Sequence, residues 1–386
     1  MTRLMRHFTA LWQRCDGRGV RLGRRYTARE QARREKDAEA FLKVAESVEV
    51  EAALLRAFGV FARAAVDLSE AQVRMLVEGA FPQLLRGLAA EARSFDPSVS
   101  SADVFQASRN VWTAGGLQML LGRQAELTPA IFGYSMLYPY TDNLLDDPGM
   151  PRASKHAFNR RFRGRLNGDA VEPADDRERK VWGLVEWIES QYERTEYPRV
   201  YQSLLAIQEA QEESVTLRTD ARLPKAEVLR RVFAKGGTSV LADAYLAGGQ
   251  LAKETETFAF GWGILLQLGD DLQDVGEDRE RGSATLFTES AEPLDELTNR
   301  VFQFGEHVFA GMRAFEKPGL GPLKRLIRRS ATTLLITAAG AEEQLYTREY
   351  LRELEQHSPL RFGFLREHRN RLFGGRGVVC RYFQAA

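Results

Sequence analysis

Two stretches of the chain crowd carboxylates at spacings that suit work on a charged ligand. The first is Tyr140-Thr141-Asp142-Asn143-Leu144-Leu145-Asp146-Asp147-Pro148-Gly149, which closes the aromatic run IFGYSMLYPY. Asp142 and Asp146 are four residues apart, so on a helix they share one face, about 40° apart. Like charges at that spacing weaken a helix unless something offsets them, and a divalent cation would do so. The alternative is a solvated helix end ahead of Pro148-Gly149.

The second stretch is QLGDDLQDVGEDRERG, residues 267–282, entered through the apolar run FAFGWGILLQL. Asp270, Asp274 and Asp278 follow a four-and-four spacing along one helical stripe, and Asp271 pairs with Asp274 on an adjacent line. Negative charge near a helix C-terminus opposes the macrodipole. Five acids within residues 270–278 therefore call for cations, the alternative again being a solvated acidic face. Hard oxygen ligands suit Mg²⁺, which keeps waters and bridges carboxylates to phosphates. Two acidic helices facing each other across a cavity would grip a diphosphate in this way.

The elements that must position these residues read as helices. Apolar residues recur three and four apart over 38–66, 69–94, 102–123, 129–147, 176–195, 198–218, 225–250, 254–278, 293–315, 319–340 and 342–356. Prolines fall mostly between these windows, and Pro139, which lies inside one, is expected to kink its helix. No run of alternating β-branched residues stands out, so the expected fold class is all-α, a large helical bundle with a central cavity.

Composition narrows the function. With 386 residues, 44% hydrophobic and 28% charged, the chain reads as an ordinary globular protein, and a net charge of +1 gives no case for nucleic acid. Cys15 and Cys380 make neither a metal spacing nor a disulfide framework, and five scattered histidines make no zinc site. No stretch approaches the roughly 18–20 apolar residues of a membrane span, and no secretory signal is evident, so a cytoplasmic protein is expected. Residues 1–40 carry Arg3, Arg6, Arg14, Arg18, Arg21, Arg24, Arg25, Arg29, Arg33, Arg34 and Lys36, against few acids. This basic arm reads either as a solvated helix or as a peripheral contact with anionic membrane. Leu4, Met5, Phe8, Leu11 and Trp12 recur near helical spacing and suit the second reading. Residues 41–386 are expected to form the helical domain.

Both acidic stretches resemble motifs of the class I isoprenoid synthase superfamily. QLGDDLQDVGEDRERG resembles its second aspartate-rich motif, with a VGED…RG ending like phytoene synthases and a DDLQD core like chain-elongation enzymes. DNLLDDPGMPRASKHAFNRRFRGRLNGDAVEP resembles the first motif and following segment of the squalene/phytoene branch. The resemblance spans about residues 130–290. It implies an all-helical synthase fold, Mg²⁺ as cofactor, a prenyl diphosphate as substrate, and often a homodimer. It implies metal coordination by Asp142, Asp146 and Asp147 from the first motif and by Asp270, Asp271, Asp274 and Asp278 from the second. Lys235, Arg281 and Arg279 are the implied diphosphate contacts, with Gln267 beside them. The chain lacks the Gly-Gly-Lys-Arg-like element and paired arginines of chain-elongation enzymes, and the Tyr-Cys-rich helix of squalene and phytoene synthases. Those departures favour a divergent terpene synthase that ionises a single diphosphate, with head-to-head prenyl transfer as the alternative and a non-catalytic isoprenoid-binding homologue behind both.

In such a mechanism, cations neutralise the departing diphosphate and the allylic carbocation left behind must be kept from water. Phe132, Tyr134, Tyr138 and Tyr140 are candidates for lining the hydrocarbon pocket, with π faces that stabilise a cation. Ordinary core packing accounts for each of them equally well. Gln208 or Glu212, on AIQEAQEESVTLR, is expected to face the cavity or solvent.

Overall fold

Among the described residues the apolar periodicity resolves into seventeen α-helices and no strand. The computed structural model describes residues 1–47, 51–147, 149–215, 223–290 and 292–373; the side chains of a few more, Asp146 among them, lie outside that description. The fold class is all-α, as the sequence implies. No helix among the described residues is long and apolar enough to cross a membrane.

The helices are α1 (Thr2–Arg14), α2 (Ala28–Ser47), α3 (Glu51–Val66), α4 (Glu70–Val77), α5 (Ala80–Phe95), α6 (Ser101–Leu120), α7 (Pro129–Asp146), α8 (Arg152–Asn167) and α9 (Asp176–Gln191). They continue with α10 (Pro198–Val215), α11 (Lys225–Gly248), α12 (Lys253–Gln273), α13 (Val275–Arg281), α14 (Leu294–Ala310), α15 (Gly321–Ala341), α16 (Arg348–Glu355) and α17 (Phe362–Phe373). Helix α11 lies at the centre, against α12, α10, α6 and α7. Its second half, Val240–Gly248, is buried on all sides, as befits a helix enclosed by others.

Glycines decide how close α11 and α12 come. A Cβ on Gly263 would lie 2.0 Å from the Gly236 carbonyl oxygen, and one on Gly236 would lie 2.5 Å from Gln267 Cβ. Only two hydrogen side chains permit that backbone contact, and it sets Lys235 beside Gln267 across the helix pair.

Several windows divide where the periodicity gives no warning. Residues 38–66 are two helices, and Phe41 against Phe58 and Phe61, with Arg34 donating to the Ala64 carbonyl, sets α2 and α3 antiparallel. Residues 69–94 divide at Gly79, where a Cβ would meet the Met75 carbonyl oxygen at 2.5 Å. Residues 254–278 divide at Asp274, whose φ of −103° and ψ of 9° end α12 before α13 begins. Pro139 is carried inside α7. Helices α1, α8 and α17 have no counterpart among the expected windows.

The basic N-terminal segment does not stand free. Phe8, Leu11 and Trp12 of α1 are buried, with Phe8 against Phe260 and Phe304 and Trp12 against Phe233 and Phe304. The apolar face offered to a membrane in sequence is thus turned into the core, while Arg3, Arg6 and Arg14 stay exposed. Further along, Asp67 gathers Arg34 at 2.5 Å, Arg24 at 3.2 Å and the Tyr26 hydroxyl at 2.8 Å, tying the segment to the end of α3. Cys15 is buried; Cys380 lies outside the described residues.

Candidate active site

Helix α7 carries the first acidic stretch. It starts on a Thr128 cap with Pro129 in the first turn, which fixes its entry. Near its C-terminal end, Asp96 accepts hydrogen bonds from Lys180 Nζ (2.6 Å), Ser98 Oγ (2.6 Å) and the Tyr140 hydroxyl. Lys155 Nζ donates to the Leu145 carbonyl at 2.5 Å, satisfying one end group of the helix. Burial alone would raise the Asp96 pKa, but the bonds from Lys180, Ser98 and Tyr140 outweigh it and hold the carboxyl well below the usual carboxylate range.

The sign follows directly: a depressed folded-state pKa contributes stability above the unfolded value of about 4, and that contribution is lost as pH falls below it. Asp96→Asn is expected to cost about 1–3 kcal/mol at neutral pH. Urea denaturation should show the gap to wild type unchanged between pH 7 and about 5 and closing as pH falls further through about 4 and below.

Helices α7, α10, α11 and α12, with α13 and the loop 283–285, enclose a cleft. Asp142, Gln211, Lys235, Gln267, Asp270, Asp271, Asp274 and Asp278 all line it. The two acidic stretches, distant in sequence, therefore face one space, and Asp274 and Asp278 reach it although the helix breaks between Asp270 and Asp278.

Polar contacts order the carboxylates. Gln267 Nε2 donates to Asp271 Oδ1 at 2.7 Å, while Asp271 Oδ2 is buried with no hydrogen-bond partner among the described residues. Burial pushes the Asp271 carboxyl up to about 7 against the pull of Gln267; the charge of Asp270 adds to the rise and Lys235 opposes it. The Tyr138 hydroxyl bonds to Asp142, and burial followed by that carboxylate holds the phenol well above its ordinary value. Arg109, on α6, places Nη2 3.0 Å from Asp270 Oδ1, so a cation already rests on one of these acids.

The donor set fits a metal shared with phosphate rather than caged by protein alone. Among the described residues, no group of three or more His, Cys, Asp or Glu side chains is arranged to hold an ion by itself. Mg²⁺ commonly takes one or two carboxylates and completes its shell with water and phosphate oxygens. The orphaned oxygen of Asp271 and the excess of carboxylates over cations suit that role.

Two recesses open beside the cleft, and Gln211 lines all three spaces. One, between α7, α8 and α10, is mostly apolar, with Tyr134, Leu137, Phe162, Leu166, Leu204 and Ile207. The other, between α6, α11 and α12, is mixed, with Gln106, Asn110, Thr113, Ser239 and Asp243 beside Ile207, Val240 and Leu266. Tyr138 stands between the two recesses.

Other candidates from the sequence lie elsewhere. Phe132 is buried against Phe95 and Trp187, a packing position away from the cleft. Tyr140 turns to Asp96. Arg281 is exposed and paired with Glu277, and neither it nor Arg279 lines the cleft. Asp147 is exposed and accepts from the Gly149 amide at 2.8 Å, while the side chain of Asp146 lies outside the description. Gln208 bonds Asn159 and does line the apolar recess, Glu212 pairs with Arg163, and Gln211 and Ser214 are the residues of α10 that line the cleft. Arg109 and Asp243 were not among the sequence candidates. No sequence spacing links Arg109 to Asp270, but Asp243 is a lone acid in the apolar run VLADAYLAGG, and that is a legible signal.

No protein-family model matches the chain, and no curated protein matches it. Among solved structures, geranylgeranyl pyrophosphate synthetase from Pyrococcus horikoshii is similar at 14% identity, covering 74% of this chain and 99% of that one, with a TM-score of 0.28. A likeness of that strength carries no weight for function.

Proposed function

We propose that the chain is a Mg²⁺-dependent isoprenoid synthase that ionises a prenyl diphosphate and converts the carbocation to a terpene. The observation that carries this reading is the convergence of Asp142 with Asp270, Asp271, Asp274 and Asp278 on one cleft that also holds Lys235. Asp142, Asp270, Asp271, Asp274 and Asp278 would hold the metal, with Asp146 as a further candidate. When bound, Mg²⁺ supplies Lewis-acid neutralisation of the phosphate oxygens.

The chain's own groups do the rest. Lys235 offers an ammonium to the diphosphate, and Arg109 can turn from Asp270 to a phosphate oxygen with two donors in a plane. Tyr138 orients Asp142 through its hydroxyl. The apolar recess, about 30 Å³ as it stands, would have to widen to take the hydrocarbon tail and keep water from the cation, with Tyr134 and Tyr138 on its wall.

The test is incubation with geranyl, farnesyl and geranylgeranyl diphosphates in Mg²⁺, measuring released pyrophosphate and extractable products. Metal-dependent release supports the reading; no release from a folded protein contradicts it and favours a non-catalytic isoprenoid-binding homologue. Arg109→Gln is expected to weaken pyrophosphate binding about 10-fold or more, as loss of a charge-assisted hydrogen bond requires. Unchanged binding would remove Arg109 from the site.

A further inference from the structure

The mixed recess holds a group that the ionisation chemistry leaves unexplained. Asp243 sits in the C-terminal half of α11, is 2% exposed, and is the one acid in the run Val240–Gly248. Its side chain lines the recess, opposite Gln106, Asn110 and Thr113 of α6. A buried carboxyl is costly unless it is hydrogen-bonded, and water in the recess can supply those bonds. The recess supplies what such a water needs, a space with several hydrogen-bonding walls. Burial alone raises the Asp243 pKa well above its ordinary value. The recess joins the acidic cleft along Gln211, Lys235, Gln267 and Asp270, so whatever it holds stands next to the reacting diphosphate.

We propose that this recess is a binding site for a water molecule held by Asp243, and that this water captures the carbocation to give a prenyl alcohol. The inference rests on the synthase reading above and adds the fate of the cation. In the balanced step, the allylic carbon–oxygen bond to the diphosphate breaks and its electron pair leaves with pyrophosphate. A lone pair of the water oxygen then forms the new carbon–oxygen bond, and one water proton passes to the released pyrophosphate. Asp243 itself exchanges no net proton; it holds and aims the nucleophile.

The experiment incubates the full chain with the three prenyl diphosphates and Mg²⁺ in water labelled with heavy oxygen. Pyrophosphate is measured separately from the extracted products. Wild-type protein should yield an alcohol carrying the label. Asp243→Leu should keep releasing pyrophosphate but lower the ratio of alcohol to hydrocarbon about 10-fold or more, the scale of one lost hydrogen bond to the nucleophile. Asp243→Asn, whose amide still binds water, should retain most of the alcohol. Hydrocarbon alone from wild type, or an unchanged ratio in Asp243→Leu, overturns the proposal while leaving the synthase reading intact. Absence of pyrophosphate release from every substrate removes both. If circular dichroism shows that Asp243→Leu does not fold, Asn110→Leu decides on the opposite wall: a fall in alcohol supports the water site and an unchanged ratio contradicts it.

Discussion

Asp142→Ala and Asp274→Ala should each lower Mg²⁺-dependent pyrophosphate release by on the order of 100-fold or more, the scale seen when one preorganised contact to developing charge is removed. The two residues belong to different acidic stretches yet line one cleft, so loss of either should be felt by the same ligand. The effect should fall on turnover as well as on substrate binding, because neutralisation matters most as the carbon–oxygen bond breaks. Tyr138→Phe provides the control. It removes the hydroxyl that bonds Asp142 while leaving the carboxylate, and should cost far less than Asp142→Ala. Steady-state kinetics on the three purified variants decide the matter, and equal losses in all three would point to a packing effect instead.

Gly263→Val should be the most damaging single change outside the acids. The added Cβ would fall 2.0 Å from the Gly236 carbonyl oxygen, a backbone atom that cannot swing aside. Helices α11 and α12 would have to part, at a cost of about 1–3 kcal/mol or more for overpacking. Parting them also moves Lys235 away from Gln267 and Asp270, so activity should fall further than stability alone explains. Thermal denaturation and pyrophosphate release measured on the same preparation separate the two effects. A variant with wild-type stability and activity would show that the close glycine contact is dispensable.

Much of the scaffold can be read from residue patterns, because helical periodicity is local. The windows over 102–123, 129–147, 176–195 and 225–250 correspond closely to α6, α7, α9 and α11. Breaks are harder. The end of α12 at Asp274 interrupts a sequence whose four-residue spacing looks continuous, and the division at Gly79 depends on a carbonyl one turn back. The burial of α1 shows the limit of amphipathic reasoning. Phe8, Leu11 and Trp12 announce an apolar face, but not that Phe260, Phe233 and Phe304 are waiting to receive it.

The site divides in the same way. Clustered aspartates are visible because their spacing is itself unusual, whereas Lys235 is singled out only by the resemblance. Side-chain direction is not. Phe132, Tyr134, Tyr138 and Tyr140 belong to one aromatic run, yet one packs into the core, one bonds Asp96, and two reach the recesses. On α10, one residue of rotation separates Gln211 in the cleft from Glu212 in an ion pair with Arg163. Arg109 becomes part of the site only through the packing of α6 against α11, which no local pattern encodes.

Calorimetric titration of pyrophosphate, with and without Mg²⁺, tests most directly the claim that both acidic stretches build one metal–diphosphate site. Wild-type protein should bind pyrophosphate tightly only when Mg²⁺ is present, and Asp142→Ala and Asp274→Ala should each abolish that dependence. Binding that ignores Mg²⁺, or that survives in either variant, would contradict a site shared by the two stretches.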